Sequence, residues 1–472
     1  MSREELRNLV DIYGEWGKAP TSPSQVVHLG PAAIRGLGEE FFTESDTCVL
    51  TGENFMVRNI IQKLERLLGD NNAPPDRIFE LYKSLPLPRA SYLPRRLFSD
   101  ILHHLADVPR KTEQVMMQYL SILEDMKASQ MPIKLSQWNT AIHLAGRYVG
   151  SRATMSELET SLSFWKEMET EAGIKGDKVT FSILFDIAVK AEKYILAESI
   201  HKESIRRGLE LDRLSRMAQI FYFGVRRDGI GVRRAYLELV EAGEIVNTSV
   251  LTNVIAGLIS AGELPAAEET FQRMKLLHAE KTGATTPPDN WHDVRQLRKI
   301  LTVAGNRYRQ DVDKRRTFQD ASPIAPDSRT YQTFIKFHAN ESGNIDRLLE
   351  LLEEMDTNGI RLTGPIFFWV FVGFQNHGGI RYSSWRKSRL ELLWGAFLQA
   401  CDERPFEIYL EHGVAIAAVW AFHKCASRER VQDVWADIRT RWKPTGRTLH
   451  LVNNILKSRL GDTTITELIQ DD

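Results

Sequence analysis

The sequence predicts an all-α protein, an α-solenoid of helix-turn-helix hairpin repeats, on three observations. First, two segments align at an interval of 70 residues, twice 35: Lys178–Asp212, and a segment that begins at Thr248. The stretch between them, Arg213–Asn247, is itself 35 residues long. Second, each segment opens with apolar residues at offsets 0, 3, 4 and 7, which lie on one face of a helix. Third, period-2 alternation is rare, so strands have little support. A single hairpin cannot bury a stripe on each of its two helices. Stacking on its neighbours completes the core.

Taken in order, residues 1–53 form an N-terminal extension. Thr21–Asn54 carries Pro and Gly breakers and reads as irregular chain, placed to wrap the first hairpin or a partner. Hairpin repeats occupy residues 54–282. Their leading stripes are Phe98, Ile101, Leu102 and Leu105; Trp138, Ala141, Ile142 and Ala145; Phe181, Leu184, Phe185 and Ala188; and Leu251, Val254, Ile255 and Leu258. A basic insertion, residues 283–327, then interrupts the array between two Pro-containing loops. Repeats resume over residues 328–447, where Leu348, Leu351, Leu352 and Met355 supply a second-helix stripe. Small residues and Gly between stripes, as at Ser260–Glu263 and Ser342–Asn344, provide the turn between antiparallel helices. Residues 448–472 read as a C-terminal capping helix and tail.

The chain has 472 residues, 43% hydrophobic and 26% charged, as a folded protein does. No run of eighteen apolar residues is present, so no membrane span is expected. A net charge of -1 excludes coating of nucleic acid by bulk charge and leaves room for a local basic face. The three cysteines, Cys48, Cys401 and Cys425, lack metal spacing and read as idle thiols of a reducing compartment. The N-terminus carries Glu4, Glu5 and Asp11 and matches neither a transit peptide nor a secretory signal.

Ala261, Gly262, Leu264, Ala267, Phe271 and Met274, with unit endings at Gly173–Asp177 and Gly208–Asp212, carry a family resemblance. The pattern resembles the pentatricopeptide repeat (PPR), in a divergent, insertion-rich form similar to fungal mitochondrial members. The 35-residue period and the terminal Asp favour it over the tetratricopeptide repeat. The resemblance is best over residues 95–282 and 328–363 and weaker over 54–94 and 364–446. It implies a right-handed superhelix that binds single-stranded RNA, one base per repeat. Two side chains would read each base edge, one on the first helix and one at the end of the unit. Asn139 with Asp177 is similar to a uracil-preferring pair, and Ser182 with Asp212 to a guanine-preferring one. Val179 and Leu214 fall at the base-packing position. Four pairs depart from the familiar code: Ser99 with Lys134, Met217 with Asn247, Thr252 with Thr282, and Gln332 with Thr363.

The insertion carries Arg295, Arg298, Lys299, Arg307, Arg309, Lys314, Arg315 and Arg316, a cluster suited to neutralising phosphates. Of these, Arg295, Arg298, Lys299, Arg315 and Arg316 join Asn247 and Thr252 as candidate RNA contacts. Further basic runs are Arg226, Arg227, Arg233 and Arg234, and Arg439, Arg441, Lys443 and Arg447. Tryptophans 369, 385, 394, 420, 435 and 442 are expected to pack between bulky hairpins. No phosphate-binding Gly-rich loop, HExxH or paired CxxC is present, so neither catalysis nor a cofactor is expected. The functional expectation is an organellar RNA-binding factor of the mitochondrial matrix, acting in RNA stability, processing or translation, with single-stranded or structured RNA as partner. The alternative is a protein-binding scaffold associated with the mitochondrial ribosome or another complex.

Overall fold

The computed structural model describes residues 1, 3–10, 55–70, 73–108, 111–146, 153–280, 286–404, 408, 410, 412–442, 449–450 and 452–455. Among them there are helices and no strand. Cys48, the irregular stretch 21–54, Thr282, Lys443, Arg447 and nearly all of 448–472 lie outside the described residues.

A short helix, α1 (Arg3–Asn8), is followed in chain order by α2 (Phe55–Leu68) and α3 (Pro75–Lys83), α4 (Arg95–Ala106) and α5 (Glu113–Ala128), and α6 (Leu135–Ala145) and α7 (Met155–Thr170). Next come α8 (Lys178–Lys190) and α9 (Tyr194–Arg206), α10 (Arg213–Val225) and α11 (Gly229–Glu241), and α12 (Thr248–Ser260) and α13 (Leu264–Glu280). The insertion forms α14 (Trp291–Arg307) and α15 (Val312–Ala321). The chain continues with α16 (Ser328–Phe337) and α17 (Ile345–Thr357), α18 (Gly364–His377) and α19 (Lys387–Glu403), and α20 (His412–Cys425) and α21 (Arg428–Arg441). The helices form two compact units: Met1–Ile245 with Pro288–Ala321, and Val246–Pro287 with Ser322–Asp472.

Hairpins stack in chain order within each unit, the defining arrangement of a solenoid. In the first, α2 packs on α4, α4 on α6, α6 on α8 and α8 on α10; in the second, α12 packs on α16, α16 on α18 and α18 on α20. The leading stripes are the reason. All sixteen residues named above from the four leading stripes are buried, as are Leu348, Leu351 and Met355. The tryptophan expectation holds in the core for Trp385, Trp394 and Trp435, which are buried. Trp369, Trp420 and Trp442 are half-buried.

The boundaries repeat as regularly as the stripes. Asp177, Asp212, Asn247 and Asp327 are N-caps whose side chains accept the amides of Thr180, Ser215, Val250 and Thr330, satisfying donors that a helix start leaves orphaned. Gly173, Gly208 and Gly243, spaced 35 residues apart, end successive second helices at φ of 67°, 69° and 79°. That left-handed conformation carries a Cβ penalty which Gly avoids, so the helix stops there and the chain turns to the next hairpin.

Helices α14 and α15 of the insertion belong to the first unit. Leu301 and Ala304 of α14 are buried with Ile245, flanked by Leu297, Tyr308 and Phe318. Arg295 pairs with Asp107 just beyond α4, and Arg309 pairs with Glu210 at 3.0 Å. Helix α1 packs on α11, where the Tyr236 hydroxyl donates to the Leu6 carbonyl at 2.7 Å and Arg7 Nε to Glu241 Oε1 at 2.6 Å.

Candidate nucleic-acid interface

The site begins with a cap. Asp177 starts α8 by accepting the Thr180 amide at 2.9 Å, and Thr180 Oγ1 accepts the Asp177 amide in return at 3.1 Å. Asn139, on the first helix of the preceding hairpin, closes this box from the side. Its Nδ2 donates to Asp177 Oδ1 at 3.1 Å, and its Oδ1 accepts the Thr180 hydroxyl at 2.7 Å. One Nδ2 hydrogen and one Oδ1 lone pair of Asn139 stay outside this relay. A donor beside an acceptor is what a base edge requires, and the relay fixes the amide's orientation. Asn139 is only 6% exposed, so the relay also ties α6 to α8.

The second unit repeats the arrangement. Asp327 and Thr330 form the same box at the start of α16, with Thr330 N donating to Asp327 Oδ1 at 2.9 Å and Asp327 N to Thr330 Oγ1 at 3.2 Å. Thr252 joins it from α12, its Oγ1 2.7 Å from Thr330 Oγ1. Thr252 thus occupies the role of Asn139, and Asp327 that of Asp177. The sequence spacing pairs Thr252 with Thr282, which lies outside the described residues. The structural counterpart is Asp327, beyond the insertion. Thr180, Asp327 and Thr330 were missed as members of the site, although the D-x-x-T spacing of Asp177–Thr180 and Asp327–Thr330 is visible in the sequence.

The other candidates divide. Asp212 is buried and accepts both the amide and the hydroxyl of Ser215 at 2.8 Å. Ser182 and Asn247 are buried, Val179 is half-buried and Leu214 is 44% exposed beside the Asp212 cap. An exposed Leu at a helix start is a surface against which a base plane can pack.

The cations of the insertion are largely engaged. Arg295 meets Asp107, Arg316 lies 4.0 Å from Asp320, and Lys314 lies 3.3 Å from Asp311. Arg315 is buried, with Nη1 donating to the Arg309 carbonyl at 3.4 Å. Arg298 lies close enough to the buried Arg213 to hold the latter's ionisation down, after the larger effect of burial. Burial first, then Lys299 and Arg295, depress the ionisation of His103 on α4. Arg295 and Lys299 border a cleft of about 520 Å³ against α4, with Arg96, Asp100, His103 and Asp107 opposite. That cleft mixes both signs of charge. Among the described residues no group of three or more His, Cys, Asp or Glu is placed to hold a metal ion, and no helix is long and apolar enough to cross a membrane.

Residues 249–277, the α12–α13 hairpin, match the family model of the PPR repeat. The chain carries a pentatricopeptide repeat. Among solved structures it is similar to the pentatricopeptide repeat protein PPR10 from maize, at 16% identity and a TM-score of 0.36 over 88% of this chain and 54% of that one. It is also similar to PPR10 in complex with an 18-nt psaJ RNA element, at 17% identity and a TM-score of 0.33 over 88% and 53% of the two chains. The chain therefore spans about half the length of those proteins. No curated protein matches it. Thr252 lies on the first helix of the matched repeat, so the relay to Thr330 is built on that repeat.

Proposed function

We propose that this chain binds single-stranded RNA through its hairpin relays and acts as an organellar, mitochondrial factor in RNA stability, processing or translation. The observation that carries the binding part is the Asn139–Thr180–Asp177 relay and its Thr252–Thr330–Asp327 counterpart. In both, a polar side chain on a first helix is held by the capping box of the next first helix. Such an anchored amide or hydroxyl loses little rotational freedom when it meets a base edge. The organellar assignment and the process follow from the family resemblance, including the similarity to fungal mitochondrial members.

A salt-titrated anisotropy measurement with a labelled oligouridylate tests the binding. The proposal expects micromolar or tighter affinity, with log K falling linearly against log salt. Absence of RNA affinity, together with co-purification in a stable protein complex, favours the second reading, a scaffold for a ribosome or another protein assembly. The ion pairing of the insertion supports that second reading, because cations already neutralised release fewer counterions on binding RNA. Imaging of the tagged protein against a matrix marker tests the location, and a diffuse cytosolic signal contradicts it.

A further inference from the structure

The turn between α18 and α19 carries aromatic and cationic chemistry that the relays do not use. Its sequence from Gly378 to Lys387 is GGIRYSSWRK. Trp385 is 3% exposed and anchors the turn: its ring packs on Phe374 at 4.9 Å between centroids, and Nε1 donates to the Gly343 carbonyl at 2.8 Å. Ser383 Oγ donates to the His377 carbonyl at 3.0 Å, and Arg389 Nη1 to the Ser384 carbonyl at 3.2 Å. Gly379 takes the left-handed conformation at φ 73°, where an added Cβ would meet the Lys424 carbonyl. The base of the turn is therefore fixed to the core of its unit.

Its tip faces solvent. Tyr382 is 91% exposed, and its φ of 66° is a conformation that costs a bulky residue energy. Strain of this kind persists where the surroundings over-determine it, and it collects at functional sites. Arg381 lies 5.6 Å from the centroid of the Tyr382 ring. Arg381, Arg386 and Lys387 are exposed and have no carboxylate partner among the described residues, unlike the largely paired cations of the insertion.

We propose that this turn is a docking site for one unpaired nucleobase of a single-stranded RNA. Tyr382 is the stacking platform, and Arg381, Arg386 and Lys387 take the flanking phosphates. An exposed ring among uncompensated cations is the combination that single-strand binders use. The centre of a protein–protein interface also favours Tyr and Arg but is depleted of Lys, and a free ring flanked by three unpaired cations matches a base between two phosphates. The inference rests on the reading of the chain as an RNA binder, but uses residues that no relay contains.

The test uses the full chain and a fluorescein-labelled oligouridylate. Tyr382→Ala is expected to weaken binding roughly 5- to 160-fold, the range that loss of one stacked base gives, while Tyr382→Phe keeps it. Arg386→Glu with Lys387→Glu is expected to weaken binding and lower the salt slope by about 1.4. Tyr382→Gly removes the strain and the ring together, so it is expected to raise the melting temperature while losing RNA. Melting of each variant controls for folding. Wild-type binding that Tyr382→Ala leaves unchanged overturns this inference and spares the relay reading. Loss of a protein partner without change in RNA affinity also overturns it. A wild-type chain that binds no RNA overturns both.

Discussion

Thr252 and Thr330 share a hydrogen bond, Oγ1 to Oγ1 at 2.7 Å, across 78 residues of chain. Asn139 and Thr180 share the equivalent bond at 2.7 Å across 41. The two contacts fill one position in successive-hairpin geometry, and the difference in spacing is mainly the insertion that forms α14 and α15. In the proposed reading the same relay residues serve stability and recognition, so each variant calls for both a folding and a binding measurement.

Removing the Asp177 carboxylate strips α8 of its cap and leaves Asn139 Nδ2 without its acceptor. Asp177→Ala is expected to cost about 1–3 kcal/mol in urea unfolding. In a double-mutant cycle, Asn139→Ala and Asp177→Ala are expected to couple by about 0.5–3 kcal/mol. Strict additivity would show that the hydrogen bond between them contributes nothing.

Gly373 has no room for a side chain, because a Cβ there would land on the Trp385 ring. Gly373→Ala is expected to destabilise by about 1–3 kcal/mol through overpacking. It is also expected to increase hydrogen exchange in the turn that carries Tyr382. Unchanged exchange in that turn would show that Trp385 does not anchor it.

Arg207 ties α7 to α9 by binding Glu169 at 2.6 Å and Glu203 at 2.7 Å. Hydrogen bonds from Arg206 and Arg207 hold the Glu203 carboxyl down at about 2, against an ordinary 4.5. Arg207, ahead of its other contacts, lowers Glu169 as well. A carboxyl whose folded pKa is depressed contributes stability above its unfolded pKa and loses it as pH falls through the folded value. Arg207→Met is therefore expected to destabilise at pH 7 and to approach wild type as pH falls below 2. The Glu203 titration, followed by carboxyl NMR, is expected to move up in the variant. A stability difference that persists well below pH 2 would assign the effect to lost packing on Phe181, whose ring centroid lies 4.9 Å from the guanidinium.

Hydrogen exchange can report whether the insertion docks through the Arg295–Asp107 pair. Arg295→Glu is expected to loosen α14 by setting two carboxylates together, and adding Asp107→Arg to restore protection. Unchanged protection of α14 in Arg295→Glu would show that Leu301 and Ala304 hold the helix without the pair.

The hairpins were legible because their signals are local. Stripes at 0, 3, 4 and 7 and the unit endings at Gly173–Asp177 and Gly208–Asp212 each act within a few residues. The partner of Thr252 was not legible, because fixed spacing fails once an insertion interrupts the array. The state of the basic cluster was equally hidden. Nothing near Arg295 in the sequence points to Asp107, 188 residues away, and only the tertiary approach of α14 to the end of α4 reveals that this cation is already paired. Tyr382 was passed over because exposure and a left-handed backbone leave no pattern in a single sequence.

The measurement that tests the account most directly is base preference at one position of a bound single strand, read by competition for wild type and for Asn139→Ala. An anchored amide that reads a base edge predicts that the wild type discriminates among the four bases at that position, and that the variant loses the discrimination while keeping binding at the remaining positions. Equal competition by all four bases against the wild type, or identical preferences in the two proteins, would contradict it.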